Sequence, residues 1–362
     1  MRVTVLSYCE TEADVAAHRY DPVVAQVGEA LRAGGHHVAV LGVHGSLPQM
    51  LRGLERQRPD LVFNLAEMFG SNVIGDVALI GVLELLDLAY TGCSVGEAYL
   101  TQDKALGKKL LAFHNILFPR FAIFSKANNL ETGGNLRLPL FVKPAHMDAS
   151  IGIDKAGIVR DANALMRRVL AIHEECNDDA LAEEYIEGRE LYVSVLGPSD
   201  GEPRALPAIE IDFSGLPQGA PHVMDARAKF DTKSAAFRGT RARLAELPDE
   251  LRAKVQAVAL GAYRALRVRD YGRVDMRVNA SGEIYVLEVN AACYLERSAE
   301  FAMAASAAGL AYTEIIQQIA DMALARGKHH ERRGTPLATR KNGHARANRA
   351  GRARTRHHRR AR

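Results

Sequence analysis

Apolar and polar positions follow two different periods along this chain, and the switches between them mark out its elements. Within residues 1–98, three short apolar runs, RVTVLSY (2–8), HVAVLGV (37–43) and DLVFNLA (60–66), have the length and β-branched content of buried strands. Two longer stretches, DPVVAQVGEALRAGG (21–35) and IGDVALIGVLELLDL (74–88), carry apolar residues at helical spacing. The first has Asp21 to cap it, Pro22 at its first turn and glycines to stop it. Strands alternating with helices predict a parallel sheet with ligands at the carboxyl ends of its strands, where Asn64 and Glu67 stand.

Beyond YTGCSVGEAYLTQDK the pattern changes. A basic helix, DKALGKKLLAFHN (103–115), leads into β-rich sequence: LPLFVKPA (138–145), two strands around Gly188 in ALAEEYIEGRELYVSVLG (180–197), and ALPAIEIDF (205–213). LPDELRAKVQAVALGAYRALR (247–267) reads as an amphipathic helix, and two more helices are predicted near 298–309 and 312–325.

One strand breaks the apolar rule. In IYVLEVN (284–290), period two puts Val286, Glu288 and Asn290 on one face. A buried unpaired carboxylate costs several kcal/mol, so Glu288 must be near the surface, paired or bound to a cation. The strand is the second half of a hairpin with GRVDMRV (272–278), joined by NASG. If residues 279–282 form the loop, Val278 pairs with Glu283, Asp275 faces Val286, and Glu288 faces Arg273. The two carboxylates then lie diagonally on one face with Asn290. Two carboxylates and an amide oxygen beside an arginine are hard-oxygen ligands for Mg²⁺ with a phosphate. An Arg–Asp–Glu salt-bridge ladder on a solvated face is the competing reading.

Composition adds a division. From Lys328 to Arg362 there are 13 Lys and Arg and one acid, a net of +12, which leaves the rest of the chain at −8. The basic segment has nothing to build a core from, and it is expected to be a disordered tail able to bind polyanions weakly. Its lack of aromatic residues argues against base stacking. The four cysteines show no zinc or disulfide spacing, no run reaches the length of a membrane span, and the N-terminus does not read as a signal peptide. A cytoplasmic protein is expected.

Three lysines stand in positions of interest: Lys104 opens a helix, Lys143 ends an apolar strand, and Lys229 lies in DARAKFDT. The small-residue loop AHMDASIGIDKAG could fold amides over phosphate oxygens, and EEYIEGRE offers Glu183, Glu184, Glu187 and Glu190 to a nucleoside. Each of these alone is an ordinary surface feature.

Their order along the chain resembles the ATP-grasp superfamily, and more closely the D-alanine–D-alanine ligase group. The blocks that carry the resemblance are VFNLAE…ALIGVLELLDLAYTG…QDKALGKKLL, LPLFVKP, EEYIEGRELYVSVLG, GRVDMRV and YVLEVN, over residues 60–325. It implies an α/β and α+β architecture, with a Rossmann-like domain (1–98) followed by the two ATP-grasp subdomains (99–190 and 191–327) and the tail (328–362). It also implies an ATP-dependent ligase that joins a carboxylate to an amine through an acyl phosphate.

The resemblance further assigns roles. Lys104, Lys143 and Ser150 would contact nucleotide phosphates. Glu183, the backbone at Glu184 and Ile186, and Glu190 would hold adenine and ribose. Lys229 would approach the γ-phosphate and Arg273 the reacting acyl phosphate, while Asp275, Glu288 and Asn290 would hold Mg²⁺ or Mn²⁺. Small amino-acid-like substrates are implied, with D-alanine for both, and a homodimer is compatible. Where the group carries a Pro-Gly loop after the metal-binding asparagine, this chain has AACYLERSAEF. Cys293, Tyr294, Leu295, Glu296 and Arg297 are therefore expected to line the acceptor pocket, with Arg297 pairing a substrate carboxylate. A ligase for another amino-acid or metabolite pair, and a non-catalytic nucleotide binder with a polyanion-binding tail, are the alternatives.

Overall fold

A computed structural model describes residues 1–333 apart from 71, 73, 128, 133, 148–153, 199–200, 221, 225–227, 230 and 232. Ser150 and the chain beyond Arg333 lie outside the described residues. Strands β1 (Arg2–Tyr8), β2 (His37–Val43) and β3 (Leu61–Leu65) form a parallel sheet in the order β2-β1-β3. The helix Pro22–Ala33 begins as its sequence demands, with the Asp21 carboxylate accepting from Val23 N at 2.9 Å and Pro22 in the first turn. Its Val23, Val24, Val27, Ala30 and Leu31 are buried against the sheet.

A second sheet comprises β4 (Phe121–Phe124), β5 (Leu130–Thr132), β6 (Leu140–Pro144), β7 (Ile158–Val159) and β8 (Ala180–Glu184), in the order β5-β4-β8-β6-β7. The third is built from β9 (Arg189–Gly197), β10 (Arg204–Ala205), β11 (Ile209–Asp212), β12 (Arg241–Leu244), β13 (Asp270–Val278) and β14 (Ile284–Asn290). Its order is β12-β11-β9-β13-β14, with β10 on β9. The helix Asp249–Ala265 lays Val255, Ala259 and Ala262 on one face of this sheet, a stripe at helical spacing.

Two hydrophobic cores each draw on the first and third sheets. One gathers Leu6, Met50 and Leu83 with Leu191, Val274 and Met276; the other gathers Val5, Leu31 and Phe63 with Tyr192, Tyr271, Phe301 and Ile316. The N-terminal unit is thereby bound to the third sheet by shared apolar burial, worth about 25 cal/mol per Å² removed from water.

The expected boundaries shift. A cut after residue 98 falls inside the helix Val95–Gln102, and one after 190 falls inside β9. The natural break between the second and third sheets is the turn containing Gly188. The last helix runs Tyr312–Arg333, past the expected end of the fold at 327. It is held by Gln317 Nε2, which donates to Ala30 O at 2.9 Å, and by Arg326, which ion-pairs with the fully buried Asp270 at the start of β13. Among the described residues, no helix is long and apolar enough to cross a membrane.

Candidate active site

The charged residues of β13 alternate with its core residues. Val274, Met276 and Val278 face the apolar interior, which places Arg273, Asp275 and Arg277 on the opposite, cleft-facing side. Pairing extends this face across three strands. Glu190 of β9 is opposite Arg277, Tyr192 is opposite Asp275, and Ser194 is opposite Arg273. On the other flank Tyr285, Glu288 and Asn290 of β14 oppose Arg277, Asp275 and Arg273 in turn.

The hairpin register differs from the sequence expectation. Val278 pairs with Ile284, not Glu283, because the turn takes in residues 279–283: Asn279 N donates to Glu283 O at 3.0 Å, and Gly282 N to Asn279 O at 3.0 Å. A β-bulge between Asp275 and Met276 then skips Leu287, so Met276 pairs with Val286 but Asp275 pairs with Glu288. Val286 is therefore a core residue on the face opposite Glu288, and the two carboxylates are directly opposed rather than diagonal. Without the bulge, strict alternation from Val286 through Leu287 would pair Glu288 elsewhere, as the sequence reading had it.

Arg273 is bidentate on Asp275, with Nε to Oδ1 at 2.7 Å and Nη2 to Oδ2 at 2.8 Å, and its guanidinium lies 4.4 Å from the Tyr192 ring centroid. Asn290 Nδ2 donates to Asp275 Oδ2 at 3.0 Å, which turns Oδ1 of the amide away as a further acceptor. Burial raises the Asp275 pKa against the pull of Arg273; burial acts likewise on Glu288, but Lys104, Lys143, Lys229 and Arg273 outweigh it and hold that carboxyl low. Opposed interior carboxylates repel unless a cation lies between them, so the donor set fits a hard divalent ion. Among the described residues no three His, Cys, Asp or Glu side chains gather as a metal site; the donor set here is two carboxylates and an amide.

The lysines come from three other elements. Lys104 opens the helix Lys104–Phe113, which is capped by Asp103, and its Nζ donates to Met147 O at 2.7 Å. Lys143, in β6, places Nζ 2.8 Å from Glu183 Oε1. Lys229 lines the same cleft.

Glu183 is already paired within the protein. Its buried carboxylate lies between Lys143 and a residue the sequence reading passed over, Lys108, whose Nζ is 3.0 Å from Oε2. Burial alone would raise the Glu183 pKa, yet the two ammonium groups bring it down to about 2. Glu183 is thus the counter-ion that orders two lysines while it lines the cleft. Lys108 also donates to Leu287 O at 3.1 Å, the carbonyl of the bulged residue. Burial lowers its pKa, opposed by Glu183. A basic residue on the inner face of an amphipathic helix, four residues after Lys104, was the signal that could have found it.

Glu190 is engaged as well. Arg277 Nη2 lies 2.7 Å from Glu190 Oε2, and Tyr192 Oη donates to Oε1 at 3.0 Å. Arg277 further donates to Ile186 O at 2.8 Å and to His222 O, and stacks over Tyr185. The Glu184 carboxylate turns away, accepting from Arg137 N at 2.9 Å, and leaves its backbone on the cleft with Ile186. Gly188 permits the neighbouring turn: its φ is +151°, and a Cβ would meet Val278 O at 2.0 Å.

The segment after Asn290 also corrects an expectation. Cys293 and Leu295 are buried core residues. Tyr294 Oη donates to Asp21 Oδ1 at 2.7 Å, Gln26 Nε2 to Glu296 Oε1 at 2.8 Å, and Arg297 Nη2 pairs with Glu29 at 3.1 Å. The arginine also stacks on Tyr312, 4.9 Å from its centroid. Arg297 therefore fastens this segment to the N-terminal helix and does not point at a substrate.

Lys104, Lys143, Lys229, Arg273, Asp275, Glu288 and Asn290 line one cleft, with Tyr185, Ile186 and Met224 along its wall. Residues 104–321 match the family described as D-ala D-ala ligase C-terminus. A D-alanine–D-alanine ligase of Bordetella petrii is 34% identical, over 67% of this chain and 71% of its own length. An uncharacterized protein, y4sG, of Sinorhizobium fredii is 32% identical over 84% of this chain and 86% of its own. The D-alanine–D-alanine ligase of Bacillus anthracis, solved in complex with ATP, superposes with a TM-score of 0.68 at 23% identity, covering 91% of this chain and 99% of that one. With a parallel N-terminal sheet, two further sheets enclosing a lysine- and carboxylate-lined cleft, and a match across most of its length, the chain belongs to the D-alanine–D-alanine ligase family of ATP-dependent ligases and has their ATP-grasp fold.

Proposed function

We propose that this enzyme activates the carboxylate of a small amino acid with ATP and passes the acyl group to an amine, with D-alanine as the carboxylate donor. The observation that carries this reading is the directly opposed Asp275–Glu288 pair in the cleft that also holds Lys104, Lys143 and Lys229. Its support on the substrate side is the name borne by relatives such as that of Bordetella petrii.

The residues divide the work. Tyr185, Ile186 and Met224 offer an apolar wall and backbone groups to the base, and Glu190, held in place by its ion pair with Arg277, offers acceptors to ribose hydroxyls. Lys104 and Lys143 neutralise nucleotide phosphates, and Lys229 approaches the terminal one. Asp275, Glu288 and Asn290 would hold Mg²⁺ or Mn²⁺, which when bound screens the charge of the phosphates. Arg273 stabilises charge on the group being transferred, in a site whose burial strengthens each such interaction. Ser150, assigned by resemblance to a phosphate-covering loop, lies outside the described residues.

The test is phosphate release from MgATP with D- and L-amino acids singly and in pairs, with products identified by mass. D-amino-acid-dependent ADP formation is expected. ATP turnover indifferent to any amino acid would refute the ligase reading.

A further inference from the structure

We propose that His146 is a positioning residue for the nucleotide: as an imidazolium it ties the capped end of the Lys104 helix to the residues ahead of β8, and so holds Lys104 in place beside Lys143. The inference rests on the nucleotide reading above and adds to it a residue that makes ATP affinity depend on pH.

His146 stands three residues after Lys143, just beyond the end of β6. Its two chain neighbours hold Lys104. Lys104 N donates to Ala145 O at 3.4 Å, and Lys104 Nζ donates to Met147 O at 2.7 Å. The stretch 145–147 is in turn fastened to two aspartates ahead of β8. Ala145 N donates to Asp179 O at 2.9 Å, His146 N donates to Asp178 Oδ2 at 2.8 Å, and His146 Nδ1 lies 2.7 Å from Asp178 Oδ1. Asp178 is buried, so its carboxylate is a fixed anchor for the ring.

The other ring nitrogen faces a different element. Nε2 lies 3.9 Å from Asp103 Oδ2, and the same carboxylate caps the Lys104 helix, its Oδ1 accepting from Leu106 N at 2.9 Å. Because Asp178 accepts at Nδ1, that nitrogen keeps its proton in both charge states, and Nε2 is the one that titrates. When Nε2 is protonated, a cation sits between two carboxylates and draws the helix cap toward Asp178. When it is not, a nitrogen lone pair faces the Asp103 carboxylate, and the attraction becomes a repulsion. The cap is then free to draw away, and Lys104, the next residue, moves with it.

The charges bearing most on His146 are Asp178 and Asp179 ahead of β8 and Asp103 ahead of the helix, and all three are acidic. The Asp178 hydrogen bond and these charges raise its pKa above the usual imidazole value, against the effect of burial. The link is therefore fully present below about pH 6.5 and is lost as pH rises through the folded value, which lies higher.

The experiment measures the Kd of MgATP from about pH 6 to about pH 9 for the wild type, His146→Asn, His146→Arg and Asp103→Asn, with thermal melts to establish that each is folded. The wild-type Kd is expected to rise about tenfold across that range, with its midpoint above the ordinary imidazole value. His146→Asn should bind weakly at every pH. His146→Arg, a cation throughout, should hold the tight value at the alkaline end. Asp103→Asn keeps a capping oxygen and should move the wild-type midpoint to lower pH. A pH-independent wild-type Kd, or a His146→Asn that keeps the wild-type slope, would overturn the role of His146. His146→Arg binding as weakly as His146→Asn at about pH 9 would overturn the role of its charge. Intact pH-dependent MgATP binding without amino-acid-dependent turnover would refute the ligase reading and leave this inference standing. Absence of MgATP binding at every pH would overturn the nucleotide reading and this inference with it.

Discussion

Asp275 and Glu288 are directly opposed interior carboxylates, and each matters more for charge than for packing. Asp275→Asn and Glu288→Gln keep size and hydrogen-bonding shape while removing one negative charge. Each should lower turnover by about 100-fold or more, and the Tm should stay within a few degrees of wild type. Steady-state kinetics over a Mg²⁺ series, with thermal melts, checks this; undiminished turnover with the same metal dependence would favour the salt-bridge ladder. Glu183 makes a separate prediction about stability. Its carboxyl titrates near 2 in the fold and in the ordinary carboxylate range when unfolded. Its folded pKa is depressed, so its contribution is present above the unfolded value and is lost as pH falls from about 4.5 toward 2. The contribution is about 3 kcal/mol at neutral pH. Urea unfolding across that window should show the loss, and Glu183→Gln should flatten the slope by about one proton. Glu183 and Lys143 were visible in the sequence as isolated charges. Lys108 was not, because nothing local says that its helix face is buried against the bulge carbonyl.

At the scale of elements, the hairpin shows how a regular pattern can mislead by one residue. Period two correctly placed Arg273 and Asp275 of β13 on one face, since the three intervening and following apolar residues, Val274, Met276 and Val278, are all core. It failed in β14, where the bulge inserts Leu287 and changes which residues are buried, from Ile284 and Val286 to Val289. Lys108 takes the bulged carbonyl, so Lys108→Met should weaken metal dependence as well as stability. An apparent Mg²⁺ affinity several-fold poorer than wild type is expected in kinetic titrations, together with a lower Tm. The turn between β8 and β9 is similarly constrained. Gly188→Ala must displace either the turn or Val278, at a cost of about 2–3 kcal/mol, and should raise the KM for ATP because Ile186 and Glu190 flank it. Melting and ATP titration of that variant decide the point.

For the whole molecule, the shared cores and the Arg326–Asp270 ion pair bind the last helix, the N-terminal unit and β13 into one support for the site. Among the described residues, those that line the cleft run from Lys104 to Asn290. Truncation after Arg333 should therefore leave kcat within about twofold. A polyanion such as heparin should bind the full chain and not the truncated one, with affinity falling steeply in salt. A large loss of turnover on truncation would place the tail in the enzyme.

The sequence by itself determined the elements, because period two, period 3.6, caps and turn residues act over a few positions, and the helix Pro22–Ala33 and the strands β1 to β3 formed as read. It also determined the chemistry available, since two carboxylates, an amide and several lysines in this order suffice to suggest phosphate and metal. Tertiary structure decided which of those charges face a ligand. Glu183 and Arg297, equal to the others as letters, became partners of Lys108, Lys143 and Glu29, and Glu300 arrived beside Arg273 from a separate helix. Ion pairs form between groups distant in the chain, and a buried charge takes whichever partner the packing brings to it. That choice is made by register, by one bulge and by helix placement, none of which is a property of a short stretch of sequence.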